Sequence, residues 1–452
     1  MKQLFLIRHA KSSWADDSLS DRDRPLNARG QSQLAPLSVA LAHHGAFAGE
    51  VHASTAARAQ ATLTGVLPKT FPETRVHICP ELYTFDYQKL LHWLQGGGDQ
   101  ETVAVIGHNP ALLELAQWLL KQSPAQLPTG SFMHLCIPVD HWCQLGKARC
   151  KGKLEALLTP QQFSYTHFVR KQKKRANPDT TGRKRDLADT LQSLHHWLKD
   201  LEPGVYSGLD DEFLHQYRIT LRRSRAIAES IREVSGSKLL TKPVKRFKQQ
   251  AGATSQLRDL HVLLQQLPEL CGGNEELETG LRTYFEQATD IEQQRLNKSL
   301  TSKRHQKHSQ EWLNLIESGP FQKLAKALSH KDIRTTVDRR ITQCNRTTAE
   351  LTPESSDEEI HALRKLLKRA RYLMELEPDR WKGLLKRVKA RQQLFGQFQD
   401  LSVQIQLLHQ FRWDSPEALP AAVAGLETQL TQRKTEVREQ ILALGELDGS
   451  PL

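Results

Sequence analysis

The chain begins with short apolar runs alternating with longer amphipathic stretches. The runs are QLFLI (3–7), VHAS (51–54), RVHIC (75–79), TVAVIG (102–107) and FMHLCIP (132–138). Each is bounded by polar or turn-forming residues, as buried strands are. Between them, ARGQSQLAPLSVALAHH (28–44) and PALLELAQWLLKQ (110–122) carry helical spacing. Strands alternating with helices predict an α/β domain over residues 1–160, a mostly parallel sheet flanked by helices.

The pattern changes after residue 160. KQKKRANPDTTGRKR (171–185) is charged, has no apolar face and contains Pro178 and Gly182. Residues 161–185 therefore read as a linker. Residues 186–445 are rich in Leu, Gln, Arg, Lys and Glu with few β-branched runs, which predicts an all-helical domain. Pro203, Pro243, Pro268, Pro320 and Pro353 punctuate it, with Pro243 and Pro353 placed for first helical turns. KRHQKH (303–308) reads as an exposed basic stretch. No run approaches a membrane span, and QLFLI, followed at once by Arg8, is too short for a signal peptide.

The helical part is written twice. HQYRITLRRSR (215–225) returns 146 positions later as HALRKLLKRAR (361–371). QLRDLHV (256–262) returns as QFQDLSV (397–403), so Asp259 lies 44 residues after His215 and Asp400 lies 39 after His361. Two signatures in the same order at similar spacing predict a tandem repeat, each unit a bundle of about four helices.

Charge follows the same division. The net charge is +12, of which residues 1–160 contribute only +2, from 15 Lys/Arg against 13 Asp/Glu. The excess belongs to the helical part and points to a polyanionic partner. At 100° per residue, His215, Arg218, Arg222 and Arg225 fall within an arc of roughly 80°, and Arg223 turns away. His361, Arg364, Lys368 and Arg371 repeat the stripe, and Arg369 turns away. No acid lies within either 11-residue segment. Like charges one turn apart repel, so such a stripe makes sense beneath an anion. Six cysteines without a C-x-x-C pair suit a reducing cytoplasm. The seven-residue spacing of Cys136, Cys143 and Cys150 matches no zinc site, so neither metal nor cofactor is expected.

Chemistry in the first domain gathers at strand ends, where such sheets place ligands. LIRHAKSSW follows the first strand, STAARAQAT the second and VIGHNPA the fourth. Together they offer Arg8, His9, Arg58 and His108. Two guanidinium forks can grip phosphoryl oxygens, and a histidine can attack phosphorus. One strand-end histidine is more often structural than catalytic; four such residues at three strand ends are a different matter. RHAKSSW, DRPLNARG, STAARA and GHNP resemble the SixA-type phosphohistidine phosphatases of the histidine phosphatase superfamily. The resemblance covers about 1–160. It implies that His9 is the nucleophile and that Arg8, Arg58 and His108 form the phosphate pocket. Ser54 and Asn109 would sit beside it, with Lys11 and Arg24 near the substrate. For a general acid, PELYTFD offers Glu81 and Asp86, and neither fits the ester-cleaving pattern cleanly. An imidazole leaving group needs less protonation than an alkoxide, which favours a phosphoramidate such as phosphohistidine on a protein.

The duplicated segments resemble the CHAD (conserved histidine α-helical) domain over about 186–445. This implies two pseudo-symmetric four-helix bundles whose basic residues line a central cleft that binds inorganic polyphosphate. The cleft set is then His215, Arg218, Arg222, Arg223, Arg225, Lys245, Arg246 and Arg258. From the second copy come His361, Arg364, Lys365, Lys368, Arg369, Arg371, Lys386, Arg387 and Lys389. Gln399 stands where the first copy has Arg258, and Lys248 pairs with Lys389 in the alignment of Asp259 on Asp400. The expectation is a hydrolase acting on phosphoric bonds, tethered to a domain that only binds, in the cytoplasm and associated with polyphosphate granules. Competing readings are a single polyphosphate-hydrolysing enzyme, a nucleic-acid binder and a scaffold with an idle pocket. Only Tyr217 and Tyr372 lie near the stripes to stack on bases, which argues against nucleic acid.

Overall fold

The computed structural model describes residues 1–72, 75–145, 152–172 and 187–447. The chain forms two compact units, Met1–Asn177 with Ser207–Asp210, and Pro178–Tyr206 with Asp211–Leu452.

The first unit holds β1 (Lys2–Arg8), α1 (Ala28–His43), β2 (Glu50–Ser54), α2 (Ala57–Val66), β3 (Val76–Cys79), α3 (Tyr87–Gln95), β4 (Thr102–Gly107), α4 (Ala111–Leu119), β5 (Phe132–Ile137) and β6 (Lys153–Leu158). The sheet order is β3-β2-β4-β1-β5-β6. The first four strands are parallel; β5 runs antiparallel to β1, and β6 antiparallel to β5. Central β1 is buried on both faces, which explains its unbroken apolar run. Leu4 and Leu6 join Val103 and Val105 under α3 and α4, whereas Phe5 and Ile7 join Ala104 and Ile106 under α1 and α2. The sequence pattern does not reveal β6. It is an edge strand with an exposed end, so KLEALL carries little burial signal.

The segment expected as a linker opens instead with two short helices, α5 (Pro160–Phe163) and α6 (Tyr165–Gln172). The Thr159–Gln162 capping box starts α5, and His167 of α6 meets Ser32 of α1 at 3.2 Å. The remainder of that segment lies outside the described residues, as does Cys150.

Helices joined by turns and loops make up the second unit, with no strand among its described residues. It comprises α7 (Leu187–Ser207), α8 (Asp211–Ser235), α9 (Thr241–Ala253), α10 (Ser255–Leu270), α11 (Glu275–Leu300), α12 (Lys303–Glu317), α13 (Gly319–Lys326), α14 (His330–Ala349), α15 (Asp357–Met374), α16 (Lys382–Asp414) and α17 (Pro420–Leu442). The signature helices α8 and α15 pack against each other. One core joins α14, α15 and α16; another joins α10 and α11 to α16 and α17, so the two copies share a core. The copies differ in one helix. The basic segment and the Asp motif occupy two helices in the first copy, broken at Thr254, and the single 33-residue α16 in the second.

The prolines punctuate less than expected. Pro203 and Pro268 lie inside α7 and α10, near their C-terminal ends, and Pro353 lies outside α15, which Ser356 caps. KRHQKH is not simply exposed: it opens α12, and its buried His305 meets Glu202 at 2.8 Å and Gln250 at 3.0 Å.

Candidate functional site

The residues around His9 are built into position by backbone contacts. His9 follows β1, and the loop after it rests on the start of α1. Asn27 caps α1, accepting from Gly30 N at 2.9 Å, and its Nδ2 donates to Ser12 O at 3.1 Å. A side chain at Gly30 would bring Cβ within 2.2 Å of Lys11 O, so the Asn-Ala-Arg-Gly stretch is where loop and helix touch. Thr62 of α2 accepts from Ala10 N at 3.0 Å. Gly130, in left-handed conformation (φ 73°), donates its N–H to the carbonyls of Arg8 and His9.

These contacts leave His9 in one tautomer. Its Nδ1 lies 2.7 Å from Ala10 O and therefore carries the proton; its Nε2 accepts from Arg58 Nε at 3.1 Å. Burial, with the neighbouring Arg58 and Arg8, pushes its pKa down to about 4. His108 approaches to 5.1 Å between ring centroids, and burial beside His9 and Arg58 lowers its pKa to about 3. Its Nε2 contacts Ser54 Oγ at 2.8 Å, and Arg58 Nη2 reaches its Nδ1 at 3.4 Å. Arg8 Nη1 and Asn109 Nδ2 share the Leu127 carbonyl at 2.8 and 3.0 Å. Arg8 Nε is buried with no hydrogen-bond partner among the described residues. Two neutral imidazoles and two guanidiniums thus share one buried pocket, which can receive a dianion.

Asp21, unmarked in the sequence reading, supplies the counter-charge. It takes Arg58 Nη2 at 2.8 Å, accepts Arg58 Nη1 on its carbonyl, receives Tyr83 OH at 3.1 Å and pairs with Arg24 at 3.3 Å. Desolvation is the largest single influence and opposes ionisation, but the hydrogen bond and charge of Arg58, the Tyr83 hydrogen bond and the Arg24 charge together hold its carboxyl below the usual range. It is an ionised clamp, not a stored acid.

In the second unit, the two stripes meet. Arg218 is anchored on the α9–α10 break through Thr254 Oγ1 at 2.7 Å, with longer bonds to Ala251 O and Ser255 Oγ. Burial lowers its pKa to about 10, with Asp259 opposing and Arg222 and Arg258 assisting. Burial likewise lowers Arg364, which senses Asp400, Arg222 and Asp259; its Nε has no partner among the described residues. Lys368 falls to about 7 through burial and the charges of Arg364, Arg222, Arg371 and Arg218. Cations of α8 and α15 therefore act on one another, with Asp259 and Asp400 beside them.

Comparison with known proteins adds family models. Residues 4–92 match the Histidine phosphatase superfamily (branch 1), and residues 189–409 match the CHAD domain. The chain joins a histidine phosphatase domain to a CHAD domain. An uncharacterised chloroplast protein of Arabidopsis thaliana is 34% identical over 172 residues, 35% of this chain and 78% of that protein. The protein histidine phosphatase SixA complexed with tungstate is 24% identical over 35% of this chain and 97% of that one, with a TM-score of 0.28. The CHAD domain from the plant Ricinus communis is 20% identical over 61% and 98%, with a TM-score of 0.49. No described helix is long and apolar enough to cross a membrane.

Within the phosphatase domain, Arg8, His9, Ser54, Arg58, His108 and Asn109 come together. Arg24 sits at the edge through Asp21, stacked 3.6 Å from the Trp14 ring centre. Lys11 is fixed by its backbone N–H on Gln33, and its ammonium makes no ion pair among the described residues. Glu81 and Asp86 do not join the pocket. They line a groove with His52, His77, Cys79 and Trp93, and Asp86 caps α3. Tyr83 and Phe85, from the same loop, instead pack on His108 at 5.5 and 5.6 Å.

Within the CHAD domain, several residues of the expected cleft set are already occupied. Arg225 pairs with Glu229 at 2.9 Å and Arg371 with Glu375 at 2.7 Å, each acid lying one turn beyond its segment. Arg246 turns to Glu311 of α12, lining a cavity with His195 and Trp312. Arg258 lies 3.6 Å from Asp211, and Gln399 in its matched place accepts His361 Nδ1 at 2.5 Å. Arg369 lines a separate pocket with Glu229, Glu233 and Tyr372. Arg222, Arg223, Lys245, Lys248, Lys365, Lys386, Arg387 and Lys389 are exposed.

Proposed function

We propose that the phosphatase domain removes phosphoryl groups from phosphohistidine by way of a phosphorylated His9, and that the CHAD domain binds inorganic polyphosphate. The observation that carries the first half is His9 itself: Nδ1–H on Ala10 O leaves Nε2 with a lone pair inside a cationic pocket. Nε2 attacks phosphorus, the N–P bond of the substrate breaks, and the imidazole leaves. Arg8, Arg58 and His108 hold the equatorial oxygens as charge builds on them. Water then attacks phosphorus, His9 Nε2 leaves, and inorganic phosphate departs. Asp21 is held ionised, so no carboxylic acid of the pocket protonates a poor leaving group. An alkyl phosphate is thereby a worse substrate than a phosphoramidate.

For the second half, the support is the opposition of Arg218 and Arg222 to Arg364 and Lys368 around an unsatisfied Arg364 Nε. A flexible chain carrying one charge per phosphate satisfies both rows. One experiment tests both halves. The full chain is titrated with polyphosphate of defined length while released phosphate is assayed, beside His9→Ala and Arg218→Ala/Arg364→Ala. Binding lost only in the arginine variant, with phosphohistidine cleavage lost only in His9→Ala, supports the reading. Phosphate release from polyphosphate that needs both sites replaces it with a single polyphosphate hydrolase.

A further inference from the structure

The β2–β3 edge carries a cluster that the His9 chemistry does not use. Strand register sets His52 directly against His77, and Glu50 lies two residues before His52 on the same face. The imidazoles stack at 4.8 Å and 19°, and both Nε2 atoms converge on Glu50 Oε2, at 3.2 Å from His52 and 3.6 Å from His77. Ligands about 2.0–2.1 Å from a tetrahedral ion stand about 3.3–3.4 Å apart. The two gaps bracket that value.

An ion pair alone accounts for this cluster incompletely. It satisfies His52 and Glu50 but leaves His77 Nε2 buried with no hydrogen-bond partner among the described residues. The outer contacts suit a ligand set. Gln100 Nε2 fixes the other carboxylate oxygen, Glu50 Oε1, at 2.8 Å, and the Trp93 ring stands edge-on to His52 at 4.9 Å. Cys79 Sγ lies 3.8 Å from His52 Nδ1, the nitrogen facing away from the convergence point, so the thiol is an outer contact.

We propose that Glu50, His52 and His77 bind a first-row divalent cation of the Zn²⁺ class, with a fourth position open to the groove lined by Glu81, Asp86 and His92. Two imidazoles and one carboxylate are a donor set that Zn²⁺ takes with water as the fourth ligand. The cation ties edge strand β3 to β2 and holds a water against the groove wall.

The test uses the full chain, freed of metal by a chelator and titrated with CoCl2, then ZnCl2. One Co²⁺ per chain with the intense visible bands of tetrahedral coordination is expected, displaced by Zn²⁺. His52→Ala and His77→Ala lose the bands; His9→Ala keeps them. Gln100→Ala, which leaves all three ligands in place, weakens Zn²⁺ binding roughly ten- to a hundredfold. Cys79→Ser leaves the spectrum unchanged. Bands that persist in His77→Ala, weak octahedral absorption only, or a thiolate charge-transfer band would overturn the assignment.

Discussion

Arg58 donates from Nε to His9 Nε2 across 3.1 Å, so the nitrogen proposed as the nucleophile is capped by the residue proposed to bind the phosphoryl group. An arriving phosphoryl group must draw Arg58 onto its oxygens before the lone pair is released. Nucleophile and anion grip are thus one switch. The neutral imidazole is the reactive form, and burial beside two guanidiniums holds its pKa near 4. For the free enzyme, kcat/KM toward a phosphoramidate, corrected for uncatalysed hydrolysis, is therefore flat from about pH 5 to 8. It falls about tenfold per unit below 4, as His9 gains a proton. A decline that begins near 6.5 would place the controlling group elsewhere.

Asp21 competes with substrate for Arg58. In Asp21→Asn the guanidinium loses its fixed counter-charge but keeps a hydrogen-bond acceptor. Inorganic phosphate, as a product inhibitor, binds roughly twofold to fivefold more tightly in this variant, the range for a half-exposed ion pair. Weaker phosphate inhibition would mean that Asp21 serves chiefly to aim Arg58.

The cations of the CHAD domain are not equivalent. Arg364 has a free Nε, whereas Arg225 and Arg246 are held by Glu229 and Glu311. Polyphosphate affinity measured by calorimetry across a salt series gives the number of phosphates neutralised. Arg364→Ala flattens the slope of log K against log salt by about 0.7, the loss of one contact to a single-stranded polyanion. Arg225→Ala and Arg246→Ala leave the slope unchanged.

The proposed polyphosphate binding is expected to depend on pH through Lys368. Its pKa of about 7 lies below that of a free lysine because burial and four cations disfavour its charge. A bound polyanion favours the charged form, so binding takes up a proton and affinity falls as pH rises from 6 to 9. Lys368→Arg, charged throughout, removes this dependence. The sign for the free protein is opposite. The unfolded chain holds the proton up to about 10.4 and the folded one only to 7, so this group's contribution to stability rises with pH between those values. Lys368→Met melts higher than the native chain at pH 6, and the gap narrows towards pH 9.5.

Strand-end chemistry was legible because a parallel sheet buried on both faces writes its strands as plain apolar runs, and the residues just past them open onto one edge. Arg8, His9, Arg58 and His108 could be gathered on that rule alone. Asp21 could not, since DRDR in a loop gives no sign of which acid turns inward. The stripes of α8 and α15 followed from helical periodicity. Their neutralisation did not: Glu229 and Glu375 lie one turn past the matching segments. Nor did that of Arg246 on α9, which Glu311 reaches from another helix. Glu81 misled for a similar reason. Its neighbour Tyr83 turns towards His108, whereas Glu81 itself lines the groove on the β2–β3 edge.

The break at Thr254 reaches further than helix count. It exposes the hydroxyl and carbonyl that seize Arg218, whereas α16 runs unbroken with buried Phe395 at the matching place and Arg364 Nε unclaimed. A duplicated scaffold has thereby lost its mirror behaviour. The two copies therefore offer a polyanion unequal partners: Arg218 is held by its own scaffold, and Arg364 keeps an Nε for an incoming ligand.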